Sequence, residues 1–307
     1  MKNSKTGFIQ ISYAWLFAII IGVIILFFAI YAATRLIKTE EAVTTAETGK
    51  EIDILLNPLE TGFGEEKTTP LTIPVESRLN NRCNTFGNFG EQEISVSQKF
   101  KGKWTETGTG QISKNKYIFS NKSVEGKNFY LFSKPFEFPF KVSDLIFLTS
   151  SKDQYCFIDA SEDIIKELSN LNQGNLFTEN CPANSIKICF ETQENCDIEV
   201  DEGDKTVEKN GELVYYETPA LMYGAIFSDP DIYECQVSRL MKRLKELALI
   251  YNYKEAIISE ADCPADVNLL VLIDSASSLQ DSSNLINVKF AADDAEAENE
   301  GAYCRLW

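Results

Sequence analysis

One uninterrupted apolar stretch near the amino terminus constrains this chain more than any other feature. No charged side chain stands between Lys5 and Arg35, and from Ala14 to Ala33 the sequence AWLFAIIIGVIILFFAIYAA is apolar or small throughout. Those 20 residues, helical at about 1.5 Å each, match a hydrocarbon core about 30 Å thick. A buried core helix is the alternative, but one so close to the N-terminus with no polar face is disfavoured. A removable secretory signal fits poorly, because the stretch exceeds the roughly 7 to 15 apolar residues of such a signal and no A-x-A triplet closes it. Residues 1–35 therefore read as a short basic leader and a retained, single-pass transmembrane helix.

Eight cysteines follow the span: Cys83, Cys156, Cys181, Cys189, Cys196, Cys235, Cys263 and Cys304. None belongs to a C-x-x-C pair, which removes the signature of zinc ribbons and thioredoxin chemistry. An even set beyond a membrane anchor fits disulfides in an oxidising exterior, with buried reduced thiols on the cytoplasmic side as the alternative. Lys2, Lys5 and the α-amine on one flank, against Arg35 and Lys38 on the other, narrowly favour an inside N-terminus. The expected location is the cell membrane, with the C-terminal domain outside. The sequon Asn121-Lys122-Ser123, a glycosylation candidate at Asn121, agrees with that side.

Composition narrows the function classes. The 307 residues include 29 Lys plus Arg, 46 Asp plus Glu and no histidine, for a formal charge of −17. Lack of His removes Ser-His and Cys-His nucleophile pairs, His-ligated zinc and haem, and the usual general base near neutral pH. Acidity argues against nucleic acid, whose phosphates are bound by Lys and Arg. Residues 36–307 hold all 46 acids and 26 of the 29 bases, a net of −20. Salty surroundings that screen self-repulsion suit such a domain.

The start of the chain, SKTGFIQISYAWLFAIIIGVIILFF, resembles the class III signal peptide of archaeal type IV pilins and related surface filaments over about 35 residues. In that family a short basic leader precedes a Q-x-S-x-E type sequence at the head of a long apolar helix. Lys2 and Lys5 match the leader, and Gln10, Ile11 and Ser12 match the first part of the motif. Ala14 stands where the family has its Glu, and Ile9 where a Gly or Ala usually precedes the peptidase cut. The resemblance implies a pilin-like surface protein whose partners are other surface or pilin-like proteins; the two departures imply an N-terminal helix that stays whole. Past the span, residues 36–60 contain no Pro before Asn57-Pro58 and repeat apolar or small residues at Leu36, Ile37, Val43, Ala46, Ile52, Leu55 and Leu56. They read as a helical stalk, or, given the weak helix formers Thr39, Thr44, Thr45, Thr48 and Gly49, as a flexible acidic linker.

Residues 61–307 read as a disulfide-stabilised α+β ectodomain, β-rich over 61–220 and helix-rich over 221–307. Residues 61–80 carry Gly, Pro and Thr punctuation and read as loop with at most a short strand around Leu71 to Val75. GQISKNKYIFS, KNFYLFS, FEFPFKV, DLIFLTS and QYCFIDA are short aromatic or β-branched runs, hence strands. Ser161 to Asn172 reads as a helix capped by Ser161. A second β segment spans 186–219, with Asn210-Gly211 as a type I′ hairpin setting Lys209 opposite Glu212 and Val207 opposite Val214. A long helix follows from about Asp231 to Ile258, capped by Ser228-Asp229, with an apolar stripe from Tyr233 to Tyr251 and a solvated face carrying Arg239, Lys242, Arg243 and Glu246. VNLLVLID reads as a buried strand.

Several motifs weaken on inspection. LIDSASS has the Asp274 of a metal-binding D-x-S-x-S loop but Ala276 where a hydroxyl is needed. Asp201-Glu202-Gly203-Asp204 lacks EF-hand spacing and reads as an acidic turn. Gly62-Phe63-Gly64 and Gly108-Thr109-Gly110 are too short for phosphate loops. Phe136, Phe138 and Phe140 read as one face of an edge strand on the core rather than a ligand grip. Helix geometry separates Cys235 from Cys263: a helix to Ile258 places it about 35 Å of rise from that end, beyond the roughly 18 Å reach of the residues after it. Cys189 is expected to bond Cys196 across a short hairpin, and Cys263 to bond Cys304; Cys83, Cys156 and Cys181 stay open as partners of Cys235. No catalytic residue, cofactor or metal site is expected. The function expected is that of a membrane-anchored, pilin-like surface protein with a structural or interaction role, ahead of an anchored receptor or solute-binding domain and an exported hydrolase.

Overall fold

The computed structural model describes residues 13–35, 68–108, 110–190, 195–260, 263 and 265–307. The basic leader, the stalk or linker at 36–60 and Gly62-Phe63-Gly64 lie outside the described residues. Helix α1 spans Tyr13–Arg35, and the remaining elements form a mixed α+β domain.

Seven strands build the first sheet: β1 (Thr69–Asn84), β2 (Glu91–Phe100), β3 (Lys103–Trp104), β4 (Gln111–Ser113), β5 (Tyr117–Phe119), β6 (Ser123–Glu137) and β7 (Lys141–Ser150). Its order is β3-β2-β1-β6-β7-β5, with β4 on β2. Every pairing is antiparallel except β5 with β7. Of the expected loop over 61–80, the part from Thr69 on is instead the first portion of the 16-residue strand β1. Pro70 and Pro74 disguise it, and the register shift between Thr72 and Ser77 brackets Pro74 where a ladder hydrogen bond would be lost. Side chains alternate across the sheet as the pleat requires: Tyr117, Phe119, Leu145 and Phe147 join one core, while Ile118 and Ile146 join another with Leu79, Val96 and Phe129.

The second sheet contains β8 (Tyr155–Ile158), β9 (Leu176–Phe177), β10 (Ile186–Cys189), β11 (Ile198–Asp201), β12 (Thr206–Lys209) and β13 (Glu212–Tyr215), in the order β13-β12-β11-β10-β8-β9. Asn210 and Gly211 both take positive φ, 56° and 77°, and pair Lys209 with Glu212 and Val207 with Val214. Strands β10 and β11 run parallel, so Cys189 and Cys196 do not face each other across an antiparallel hairpin.

Helix α2 (Glu162–Leu171) links β8 to β9 with Ile164, Leu168 and Leu171 buried; Ser161 sits at its N-cap position but its side chain makes no cap bond. Four helices end the chain: α3 (Pro219–Phe227), α4 (Pro230–Glu260), α5 (Leu270–Ser278) and α6 (Leu285–Gly301). VNLLVLID is thus corrected from strand to the start of α5, a short apolar run whose period does not distinguish the two. Asp274 is exposed on that helix and not in a loop after a strand. Asp229 takes the N-cap position of α4, its carbonyl accepting the Tyr233 N–H at 3.0 Å, but the side chains expected to cap bond elsewhere. Ser228 donates its hydroxyl to the Gly224 carbonyl of α3, and the Asp229 carboxylate accepts the Lys122 backbone N–H at 2.8 Å.

Helix α3 is buried on every side from Ala220 to Phe227 and lies close on the first sheet. A Cβ at Gly224 would come within 2.7 Å of the Phe119 ring, so glycine sets that approach. Helix α4 buries Tyr233, Val237, Leu240, Met241, Leu244 and Ala248 as its stripe requires. Its basic face is only partly solvated. Arg239 is fully buried, Arg243 Nε donates to the Val142 carbonyl at 2.8 Å, and Lys242 Nζ reaches the Thr85 and Gly87 carbonyls. The reason is a supply of strand-end and loop carbonyls under that face, which only long cationic donors satisfy.

Candidate functional site

All 23 residues of α1 are exposed, including Trp15, Phe17, Leu26, Phe27 and Phe28. An 18-residue window reaches a mean hydropathy of 2.9, and no part of that window is covered by the rest of the described chain. By length and composition this helix is able to cross a membrane. Tyr13, Trp15 and Tyr31 stand toward its ends, where amphipathic rings favour the headgroup level.

The eight cysteines stand in four pairs at disulfide distance, with Cα separations of 6.1 Å for Cys83–Cys235, 5.6 Å for Cys156–Cys181, 6.1 Å for Cys189–Cys196 and 5.7 Å for Cys263–Cys304. Of the three partners left open for Cys235, it is β1 that crosses the non-stripe face of α4 and supplies Cys83. No free thiol remains to act as a nucleophile.

A surface recess lies beside α2. Lys134 of β6 pairs with Glu167 of α2, whose other carboxylate oxygen accepts from the Tyr223 hydroxyl at 3.3 Å. The Lys134 ammonium lies 5.0 Å from the centre of the Tyr223 ring. Burial, and next the Glu167 charge, push the Tyr223 phenol well above its usual range, so it stays a donor. A hollow of about 530 Å³ lies on one side of this trio, bounded by Ser133, Pro135, Asp163, Lys166 and Asn170. A second of about 300 Å³ lies on the other, reaching Glu202, Lys205, Tyr216, Glu217 and Thr218. Burial raises the Glu217 carboxyl above its ordinary value, with Lys289 and Lys205 opposing. Such a recess can hold a polar ligand by charge and hydrogen bonds. It was invisible in the sequence because its members come from β6, α2, α3 and the β11–β12 turn with no local motif.

Asn121 is half-buried at the entry to β6, and its Oδ1 accepts from Lys209 Nζ at 2.9 Å. The Asp201 carboxylate accepts the backbone N–H groups of Gly203 and Asp204, both at 2.8 Å, and among the described residues no group of three or more Cys, Asp or Glu side chains gathers as a metal site. Phe136, Phe138 and Phe140 are all buried, with Phe140 against Tyr251 and Trp307. They belong to the core; β6 lies between β1 and β7, and only its last residues extend past β1. No protein-family model, curated protein or solved structure matches this chain.

Proposed function

We propose that the protein is a single-pass, membrane-anchored surface protein that acts by structure and interaction rather than by catalysis. The observation carrying this reading is α1, a fully exposed apolar helix that no described part of the chain covers, joined to a domain whose cysteines stand in four disulfide pairs. Exposing that much apolar surface to water is unfavourable at about 25 cal/mol per Å², and lipid removes the cost. Paired cysteines support an oxidising exterior for residues beyond the span. Exposed apolar side chains at Ile250, Tyr253 and Ile257, spaced three and four residues along α4, support a role in contact with other surface proteins. The pilin-like part of the reading rests on the resemblance between Lys2 and Ser12. Alkaline carbonate extraction tests the anchor: the full chain is expected to stay with the membrane pellet, and release into the supernatant contradicts it.

A second reading, an anchored receptor, is favoured by the recess around Lys134, Glu167 and Tyr223. It requires small polar solutes that raise the melting temperature of the native protein and fail to do so in Lys134→Met.

A further inference from the structure

We propose that Lys209 and Asn121 join through an intramolecular isopeptide bond that staples β12 of the second sheet to the segment entering β6 of the first. Lys209 Nζ lies 2.9 Å from Asn121 Oδ1 although the residues are 88 apart in sequence. Its place is fixed by two further acceptors at the end of α3, the carbonyls of Ile226 at 3.3 Å and Ser228 at 2.8 Å. Asp229 lines the same hollow as both residues and accepts the N–H of Lys122, next to Asn121, at 2.8 Å. Nζ, hydrogen-bonded to the Asn121 amide oxygen, is already held beside the carbonyl group it would attack, which removes the entropic part of the barrier to amide exchange.

The reaction balances without an oxidant or cofactor. The Nζ lone pair attacks Asn121 Cγ, the Nζ–Cγ bond forms, the Cγ–Nδ2 bond breaks, and Nδ2 departs as ammonia after taking a proton from Nζ. The three acceptors around Nζ suit the resting ammonium. Attack needs the neutral amine, which gives up one of these hydrogen bonds to free its lone pair. Burial eases that loss by lowering Lys209 to about 8, against the opposing charges of Asp229 and Asp153. Asp153, whose charge acts on Lys209, is itself raised above the usual carboxylate range by burial, while Asp229 is the carboxylate that lines the hollow with both residues. Asn121 is also the sequon residue. Glycosylation and cross-linking are mutually exclusive fates of its one amide nitrogen.

The test is peptide mapping and intact mass of the full chain, extracted in detergent with its cysteines reduced and alkylated. A branched peptide joining Asn121 to Lys209, one ammonia lighter than its two linear parts, is the expected result. Lys209→Arg keeps a cation in place and is expected to yield the linear Asn121 peptide at its full sequence mass. Linear peptides with unmodified Asn121 and Lys209 in the native protein overturn the proposal. So does a glycan on Asn121, or an ammonia loss that persists in Lys209→Arg.

Discussion

Arg239 is the least expected side chain in the molecule, a cation with no exposed surface in the middle of α4. Its Nε donates to the Phe89 carbonyl at 3.2 Å, Nη1 to the Lys116 carbonyl at 2.9 Å and to Gln236 Oε1 at 2.8 Å, and Nη2 to the carbonyls of Lys114 at 3.1 Å and Ser113 at 3.5 Å. The guanidinium carbon stands 4.7 Å from the centre of the Tyr117 ring. Desolvation lowers its pKa to about 10, which leaves it charged at neutral pH. Gly90, at φ +61°, makes room: a Cβ there would collide with the Asn84 carbonyl and the Arg239 stem. Arg239→Met strands these carbonyls and is expected to cost about 3 to 5 kcal/mol in urea unfolding; a loss under about 1 kcal/mol contradicts the bridging role. Glu217 shows the opposite situation. Burial raises its carboxyl in the fold, so the folded state binds more protons than the unfolded one just above the ordinary glutamate pKa, and stability falls as pH rises through that window. Glu217→Gln is therefore expected to raise the melting temperature at pH 7 by less than about 1 kcal/mol equivalent, with the gain gone below about pH 4. An equal gain at both pH values contradicts the desolvation origin.

Legibility at the level of elements followed the kind of burial each one has. Helix α4 was readable because one face is apolar and the other polar, and its observed ends, Pro230–Glu260, fall within two residues of the expected ones. Helix α3 was missed because Ala220 to Phe227 are all buried, which leaves no period to detect, although Thr218 at the cap, accepting from Leu221 N–H at 3.3 Å, and Pro219 behind it were legible signals. Strand β1 hid behind two prolines, and the burial of the basic face of α4 depends on carbonyls from β2, β4 and β7 neighbourhoods that no local window contains. The cross-links allow a quantitative comparison. Cys83–Cys235 closes a separation of 152 residues and Cys189–Cys196 one of 7. If loop closure in the unfolded chain governs their effect, replacing the first pair by Ser costs about 5 kcal/mol and the second about 2 to 3 kcal/mol. Denaturant melts of the two double variants check this, and a larger loss for the short loop contradicts it.

At the scale of the whole molecule, an exposed 23-residue apolar helix and a cross-linked, acidic α+β domain call for different surroundings, one lipid and one aqueous and oxidising. Basic residues alone leave the orientation nearly balanced, so the cysteines weigh most in the proposed topology. Labelling intact cells with a membrane-impermeant amine-reactive reagent, followed by peptide mapping, tests that topology most directly. Lys101, Lys103 and Lys127 are exposed on the folded domain, while Lys2 and Lys5 precede the span and serve as the internal control. The expected result is modification of Lys101, Lys103 and Lys127 in intact cells and of Lys2 and Lys5 only after lysis. Protection of the domain lysines until lysis, with or without labelling of Lys2 and Lys5, contradicts an outside domain.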